Sequence, residues 1–262
     1  MSSLAHKPVV DDELQQRLER YYTRYYRDTL GLPGWRDLLA VRLADERHEA
    51  QRLHRFELAL GRPIADLRVL NVGCGTGGFN ALAERAGAVV FGVDTDPEAA
   101  AIARRRVAHG RVVCAPAEAL PFHRGSVDAV YCYSTLEHVG DAGQALREMV
   151  RVLKSDGALY LHTPSRWSVF ESHYKILWPP GLRGRAGRAY LAARGRPTAF
   201  LSTLRLVTLG ECTRALTAAG VRTIRRLDGG SDRRVGGPLW PAVRLYYGLF
   251  RIRPYVELVA RP

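Results

Sequence analysis

Apolar positions in this chain fall into two spacings. Short unbroken or alternating apolar runs at 69–72, 88–93, 111–114, 126–133, 158–163, 221–227 and 255–260 read as strands, several of them apolar enough to be covered on both faces. Between most of them lie segments with apolar residues three and four apart. Leu146, Met149, Val150 and Leu153 give one such helix a core face. The turns between carry helix-start chemistry. Asp96-Pro97-Glu98 is an N-cap, a proline and a first-turn acid. Asp141 with Gln144, and Thr208 with Glu211, have capping-box spacing, and Asp12 with Gln15 is similar. Strand and helix therefore alternate, which predicts an α/β fold with a doubly wound, mostly parallel sheet of seven strands. Residues 11–60 come before the first strand and read as two or three helices, broken at Gly31-Leu32-Pro33-Gly34. We expect residues 1–62 to form a helical cover and 63–262 the main domain. Two stretches, 164–207 and 228–254, do not fit the strand–helix alternation and read as insertions.

One stretch carries recognisable chemistry. The strand ending at Val72 runs into Gly73-Cys74-Gly75-Thr76-Gly77-Gly78, and the next strand ends in Asp94. A strand, a glycine turn and a helix let the backbone approach a ligand closely, with the positive end of the helix aimed at it. Asp94 lies 19 residues after Gly75, close to the offset at which an acid reaches a ribose hydroxyl in nucleotide-binding βαβ units.

These residues resemble motif I of the class I S-adenosylmethionine (SAM) methyltransferases, with Gly73, Gly75, Gly77 and Asp94 at the matching positions. Three further stretches resemble the small-molecule branch related to ubiquinone and menaquinone biosynthesis: Ala117-Glu118-Ala119-Leu120-Pro121-Phe122, Leu136-Glu137-His138, and the run Leu-Arg-Glu-Met-Val-Arg-Val-Leu-Lys-x-x-Gly ending at Gly157. The resemblance covers about residues 65–165. It implies a Rossmann-like sheet whose last strand is antiparallel, SAM as cofactor, and a cofactor site built from Asn71, Gly73, Cys74, Gly75, Gly77, Asp94, Thr95, Ala117, Glu118, Tyr133 and Leu136. Two positions depart from the family pattern. Asn71 and Pro116 stand where an acid is usual: Asn71 brings no charge toward the SAM ammonium, and in place of Pro116 the adenine would have to be served by Ala117 N–H donating to its ring or by Glu118 accepting from its amine.

Methyl transfer from a sulfonium is a displacement in which the protein mainly positions the reactants, so no metal cluster or triad is required. For acid–base or substrate-orienting work the candidates are His138, Glu171 and His173. Glu171 and His173 share a face if their segment is extended. The four cysteines show no C-x-x-C pair and no histidine cluster nearby, so neither a metal site nor a disulfide framework is expected, and a cytoplasmic location is. No run is apolar enough to span a bilayer and residues 1–10 lack a signal-peptide core.

The net charge of +13 is uneven. Residues 166–205 hold eight Lys and Arg against one acid, and 222–261 hold nine against three. Both excesses lie in or beside the insertions, where acceptor recognition is normally written. Together with Trp240, Leu245, Tyr246, Tyr247, Leu249 and Phe250, the second predicts peripheral contact with an anionic membrane at its inner face. The expected acceptor is a small or lipid-linked metabolite, with oxygen favoured. A nucleic-acid substrate ranks second, since neither an Asp/Asn-Pro-Pro-Tyr motif nor a Pro-Cys nucleophile follows the fourth strand. A nicotinamide-dependent oxidoreductase and a non-catalytic membrane-associated binding protein rank below it.

Overall fold

A computed structural model describes residues 11–44, 46–227 and 240–262. In chain order the elements are α1 (Asp12–Thr23), a π-helical segment (Arg24–Thr29), α2 (Trp35–Ala44), α3 (Arg47–Leu60), β1 (Arg68–Val72), α4 (Gly78–Arg85), β2 (Val89–Asp94), α5 (Pro97–Arg106), β3 (Val112–Cys114), β4 (Val127–Tyr133), a 3-10 turn (Leu136–His138), α6 (Ala142–Val152), β5 (Leu153–Pro164), β6 (Phe170–Glu171), β7 (Ile176–Leu177), α7 (Gly184–Ala193), a second 3-10 turn (Phe200–Thr203), α8 (Leu209–Ala218), β8 (Thr223–Arg226), α9 (Trp240–Leu249) and β9 (Tyr255–Arg261). Seven strands form one sheet in the order β3-β2-β1-β4-β5-β9-β8. Only β9 runs antiparallel to its neighbours, as expected.

Strand periodicity sorts the core into two layers. Val69, Ala129, Tyr131, Ala158 and Tyr160 face α3 and α4, against Phe56, Leu60 and Phe79. The alternate residues Leu70, Val72, Val130, Cys132, Leu159 and Leu161 face α6 and α8, against Leu146, Met149 and Leu216. The first layer is aromatic. Phe79 stacks on Tyr131 at 3.9 Å, and Phe56 meets Phe79, Tyr131 and Tyr160 at 5.1 to 6.0 Å.

Three boundaries differ from the sequence reading, each for a local reason. The first N-cap is Asp11, whose carboxylate accepts Leu14 N–H, not Asp12. Residues 154–157, expected as a turn before the fifth strand, lie within β5. Val127 faces Leu153 and Ala129 faces Ala158, so the intervening residues bulge, and Lys154 bonds Asp128 at 2.6 Å. The sixth strand is confined to β8, at the exposed edge of the sheet. The caps at Asp96, Asp141 and Thr208 form as the spacing predicts.

Whereas α3 covers a face of the sheet, α1 lies over the loops that follow β1 and β2. Leu14, Leu18, Tyr22 and Leu39 pack on Ile102 of α5. Leu30 and Leu32, from the Gly-Leu-Pro-Gly break, pack on Tyr174, Trp178 and Leu191 of the first insertion. That insertion is not a loose loop. Phe170–Glu171 and Ile176–Leu177 form a hairpin, and α7 follows it. Two segments far apart in sequence thus meet and make a roof. Residues 228–239 of the second insertion lie outside the described residues.

Phe56 is fully buried where three other rings converge. Phe56→Ala should cost about 3–5 kcal/mol of unfolding free energy, read from the denaturant midpoint at constant slope. A loss below about 1 kcal/mol would mean that the surrounding rings close the gap.

Candidate functional site

The site begins where β1 and β2 end. Gly73 follows β1 with φ +74, and a Cβ there would lie 2.0 Å from Thr135 Oγ1. No other residue fits without moving the segment after β4. Thr135 Oγ1 donates to Val72 O at 3.0 Å, which ties that segment to the loop. Gly77 answers a different need. Its Cβ would meet Ala103 at 2.9 Å, so its role is the close packing of α4 on α5. At Gly75 a Cβ would meet nothing within 4 Å, because this turn faces an open cleft.

Asp94 joins the two strand ends. One carboxylate oxygen accepts Gly75 N–H at 2.7 Å and the other accepts Asp96 N–H at 2.9 Å. Burial pushes its pKa above the ordinary carboxylate range, and these two N–H groups act against that rise. Above the loop, Tyr22 OH and Thr76 Oγ1 share a hydrogen bond of 2.7 Å, and Tyr21 OH donates to Asp96 at 3.0 Å. The tyrosines at helical spacing in α1 thus reach the glycine loop as well as the core.

The loop, Asp94 and the N-terminal helices enclose a cleft of about 530 Å³. Asn71, Gly73, Cys74, Gly75, Asp94, Thr95, Ala117 and Tyr133 line it. Gly77, Glu118 and Leu136 are not on that wall. Glu118 instead accepts Gly140 N–H at 2.7 Å and Asp141 N–H at 3.1 Å, fastening the loop before α6. Leu136 is fully buried in the α6/α8 layer. Asn71 donates to Asn80 Oδ1 at 2.6 Å, so its amide is already held in place.

A second cavity of about 830 Å³ adjoins the cleft. The two share Tyr133 at the end of β4, Ser134 and His138 just after it, and Tyr25, Tyr26, Arg42 and Arg52. Ser134 lies at φ +51, a strained conformation for a residue with a side chain. Arg42 and Arg52 were not singled out from sequence. Both bond Glu49, at 3.0 and 3.2 Å, and Arg52 lies 4.2 Å over the Tyr133 ring. No spacing signal marks them, because each is one of several arginines on a helix.

The fold brings His138, Glu171 and His173 together and adds Glu137. Glu171 accepts from His173 Nδ1 at 2.7 Å and from Tyr174 N–H at 2.6 Å. His173 Nε2 lies 3.9 Å from Glu137 Oε1, and the His138 ring meets the His173 ring edge-on at 5.1 Å. Glu137 is fully buried. Its Oε2 accepts from Thr163 at 2.8 Å, while Oε1 has no hydrogen-bond partner among the described residues. Burial pushes the Glu137 carboxyl up. Burial alone would pull His173 down, but the Glu171 hydrogen bond and the two glutamate charges outweigh it and hold His173 above the usual imidazole value. His138 is pushed down, first by burial and then by the charge of His173. The donor atoms of Glu137, His138 and His173 fall within 4.8 Å of one another, compact enough for a shared proton or a cation, a gathering the sequence spacing does not anticipate.

Residues 70–161 match the family model of a methyltransferase domain. That match spans about a third of the chain, and the sheet around it has the fold of solved SAM-dependent methyltransferases. A ubiquinone biosynthesis O-methyltransferase of Xanthomonas oryzae is 37% identical over 108 residues, covering 39% of this chain and 45% of that protein. A probable S-adenosylmethionine-dependent methyltransferase of Mycobacterium tuberculosis is 37% identical over 98 residues, covering 37% of this chain and 36% of that one. The chain therefore spans under half the length of these relatives. Among solved structures, geranyl diphosphate C-methyltransferase from Streptomyces coelicolor has a TM-score of 0.57 over 94% of this chain and 96% of that one. At 17% identity that likeness is one of fold.

Proposed function

We propose that this protein transfers a methyl group from SAM to a small or lipid-linked acceptor, with an oxygen atom as the favoured methyl-receiving group. The observation that carries this reading is the shared wall. The cleft under the glycine loop and the larger cavity meet at Tyr133, Ser134 and His138. A cofactor in the first and an acceptor in the second would face each other there, which is the geometry a displacement needs. The residues fit the cofactor. Gly75 leaves room for a ligand against its backbone, and Asp94 is a half-buried carboxylate whose oxygens have further lone pairs to accept from a ribose. Ala117 N–H would serve the adenine edge, and the loop backbone at Gly73 and Gly75 would lie against the methionine part. When bound, SAM supplies an electrophilic methyl on a sulfonium.

The chain's own work is positioning and proton handling. A carboxylate only accepts, so Glu171 fixes the His173 proton on Nδ1 and leaves Nε2 to receive a second one. An acceptor hydroxyl that reaches Nε2 would pass its proton to that nitrogen. The resulting imidazolium lies between Glu171 and Glu137, which stabilise it. His138, held neutral, borders both cavities and orients the acceptor.

The side of α9 bearing Leu245 and Leu249, with Phe250 just after the helix, supports a lipid-linked acceptor. These residues are 60–71% exposed, and Arg244, Arg251 and Arg253 are exposed with them. The helix is anchored beside the acceptor cavity: Tyr247 OH accepts Val169 N–H at 3.0 Å, next to the β6–β7 hairpin. No described helix is long and apolar enough to cross a membrane.

Three outcomes are expected. S-adenosylhomocysteine should raise the melting temperature, and Asp94→Ala should weaken its binding by about 1–3 kcal/mol in calorimetry. Unchanged affinity in the folded variant would remove Asp94 from the cofactor site. Second, His173→Ala should keep that affinity and lose turnover in a labelled-SAM metabolite screen. Because His173 is held above the usual imidazole value, turnover should rise with pH through its pKa. Glu171→Gln, which removes the main cause of the elevation, should move that limb to lower pH. A limb that does not move excludes His173 as the base. Third, anionic vesicles should bind the protein and neutral ones should not. Leu245→Ala with Phe250→Ala should reduce this binding without unfolding. Equal binding to both vesicle types would remove the role of the arginines, and binding to neither would leave only a soluble acceptor.

A further inference from the structure

The cofactor cleft is walled by the N-terminal helices, the strand ends and the loops that follow them, with one exception. Among its described lining residues, Phe200 alone comes from residues 164–207, the insertion that roofs the acceptor side. Phe200 packs on the roof cluster of Leu30, Leu32, Tyr174, Trp178 and Leu191. It opens the turn Phe200–Thr203, where Ser202 N–H donates to Ala199 O at 3.1 Å and Thr203 Oγ1 donates to Phe200 O at 2.8 Å. Just before the turn, Arg196 donates to Gly31 O, and Pro197 lies where a Cβ on Gly31 would have to be. The approach to Phe200 is thus clamped to the N-terminal break, and a roof side chain is set into the cofactor's space.

Behind that ring stand the groups that handle the proton. The Phe200 ring centre lies 5.3 Å from that of His173, 5.6 Å from His138 and 6.1 Å from Tyr174, with the planes tilted or edge-on. Rings at such spacings are in contact. Tyr174 N–H donates to Glu171 at 2.6 Å, and Glu171 accepts from His173 Nδ1 at 2.7 Å. Phe200 therefore meets the imidazole directly and also meets the residue whose backbone holds the partner carboxylate. Glu171, His173 and Tyr174 are not among the described residues that line the cofactor cleft. Any influence of the cofactor on them has to pass through a neighbour, and Phe200 touches both sides.

We infer that Phe200 is a positioning residue through which an occupied cofactor cleft sets the place of His173 and of the hairpin that carries it. A cofactor in the cleft would press on the ring from the front, and the ring can yield only toward the two imidazoles and Tyr174. Close-packed interiors transmit such displacements and do not absorb them. Without a cofactor the ring is supported from behind only, and its rotamer is less restricted. This rests on the reading of the first cleft as the SAM site, and it adds an order to that reading: the cofactor binds first, and its binding prepares the acceptor side.

The test uses the whole protein with S-adenosylhomocysteine as the probe, in the unaltered chain, Phe200→Leu and Phe200→Ala. Calorimetry fixes the concentration that saturates each protein, so that occupancy is equal. Hydrogen exchange then follows the amides of residues 170–177, none of which lines the cofactor cleft. In the unaltered protein, saturating S-adenosylhomocysteine should slow their exchange by about fivefold or more, the lower range of coupling between distinct sites. Phe200→Ala should abolish this protection, and Phe200→Leu, which keeps apolar bulk but no ring, should reduce it. The His173 ring signals in nitrogen-resolved NMR should shift with S-adenosylhomocysteine in the unaltered protein and not in Phe200→Ala. His138 borders the cleft itself and should respond in all three, which serves as the control. A general loss of packing would lower the melting temperature, but it would not separate a bound cofactor from a protected hairpin. Equal protection in all three proteins overturns the inference. So does S-adenosylhomocysteine that binds the unaltered protein and leaves both the hairpin and His173 unmoved. If S-adenosylhomocysteine does not bind the unaltered protein at all, calorimetry shows it at the outset, and the cofactor reading falls and takes this one with it.

Discussion

Both cavities depend on one half-buried carboxylate. Asp94 ends β2 and accepts backbone N–H groups from the loop after β1 and from its own strand's exit. A charge drawn out of water is costly unless it is hydrogen-bonded. That cost makes the contact directional: Gly75 N–H must point at the oxygen, so the loop has one conformation and not several. The rest follows in sequence. A fixed loop sets Gly73 against Thr135, Thr135 holds the end of β4 and the segment after it, and these carry Tyr133, Ser134 and His138 to the boundary between the two spaces.

The sheet was legible in the sequence because its signals are local. Strand runs, caps at Asp96, Asp141 and Thr208, and the glycine spacing are each set by a few neighbouring residues. The break at Gly31-Leu32-Pro33-Gly34 was visible for the same reason. The bulge at 154–157 was not, because a Lys-Ser-Asp-Gly stretch reads as a turn until Asp128 on the next strand bonds the lysine.

The candidate site was half legible. Asp94 and the glycine loop announce themselves by offset. The two-residue spacing of Glu171 and His173 suits a shared face, and they bond each other. Glu137 was seen only as part of a motif. Its importance comes from Thr163 and His173 closing around it, which no pattern in the chain records. Glu118 shows the reverse case. Its position in the motif suggests cofactor contact, whereas in the fold one of its carboxylate oxygens accepts two backbone N–H groups and fastens the loop before α6. Arg42 and Arg52 matter because of the cavity they border, and a cavity is a property of elements brought together.

The roof has a consequence for how the molecule is made. Leu30 and Leu32 lie on Tyr174, Trp178 and Leu191, and Tyr25 meets Phe200 at 6.0 Å. The partners are separated by some 140 to 175 residues of chain. During synthesis the first helices leave the ribosome long before their partners exist, with apolar side chains and a row of tyrosines still uncovered. Contacts of such high sequence separation form late and slowly. The nucleotide-type half of the sheet can assemble first from short-range strand pairs, so the molecule would gain the ability to hold a cofactor before the ability to enclose an acceptor. Chaperone dependence should therefore track the roof and not the sheet.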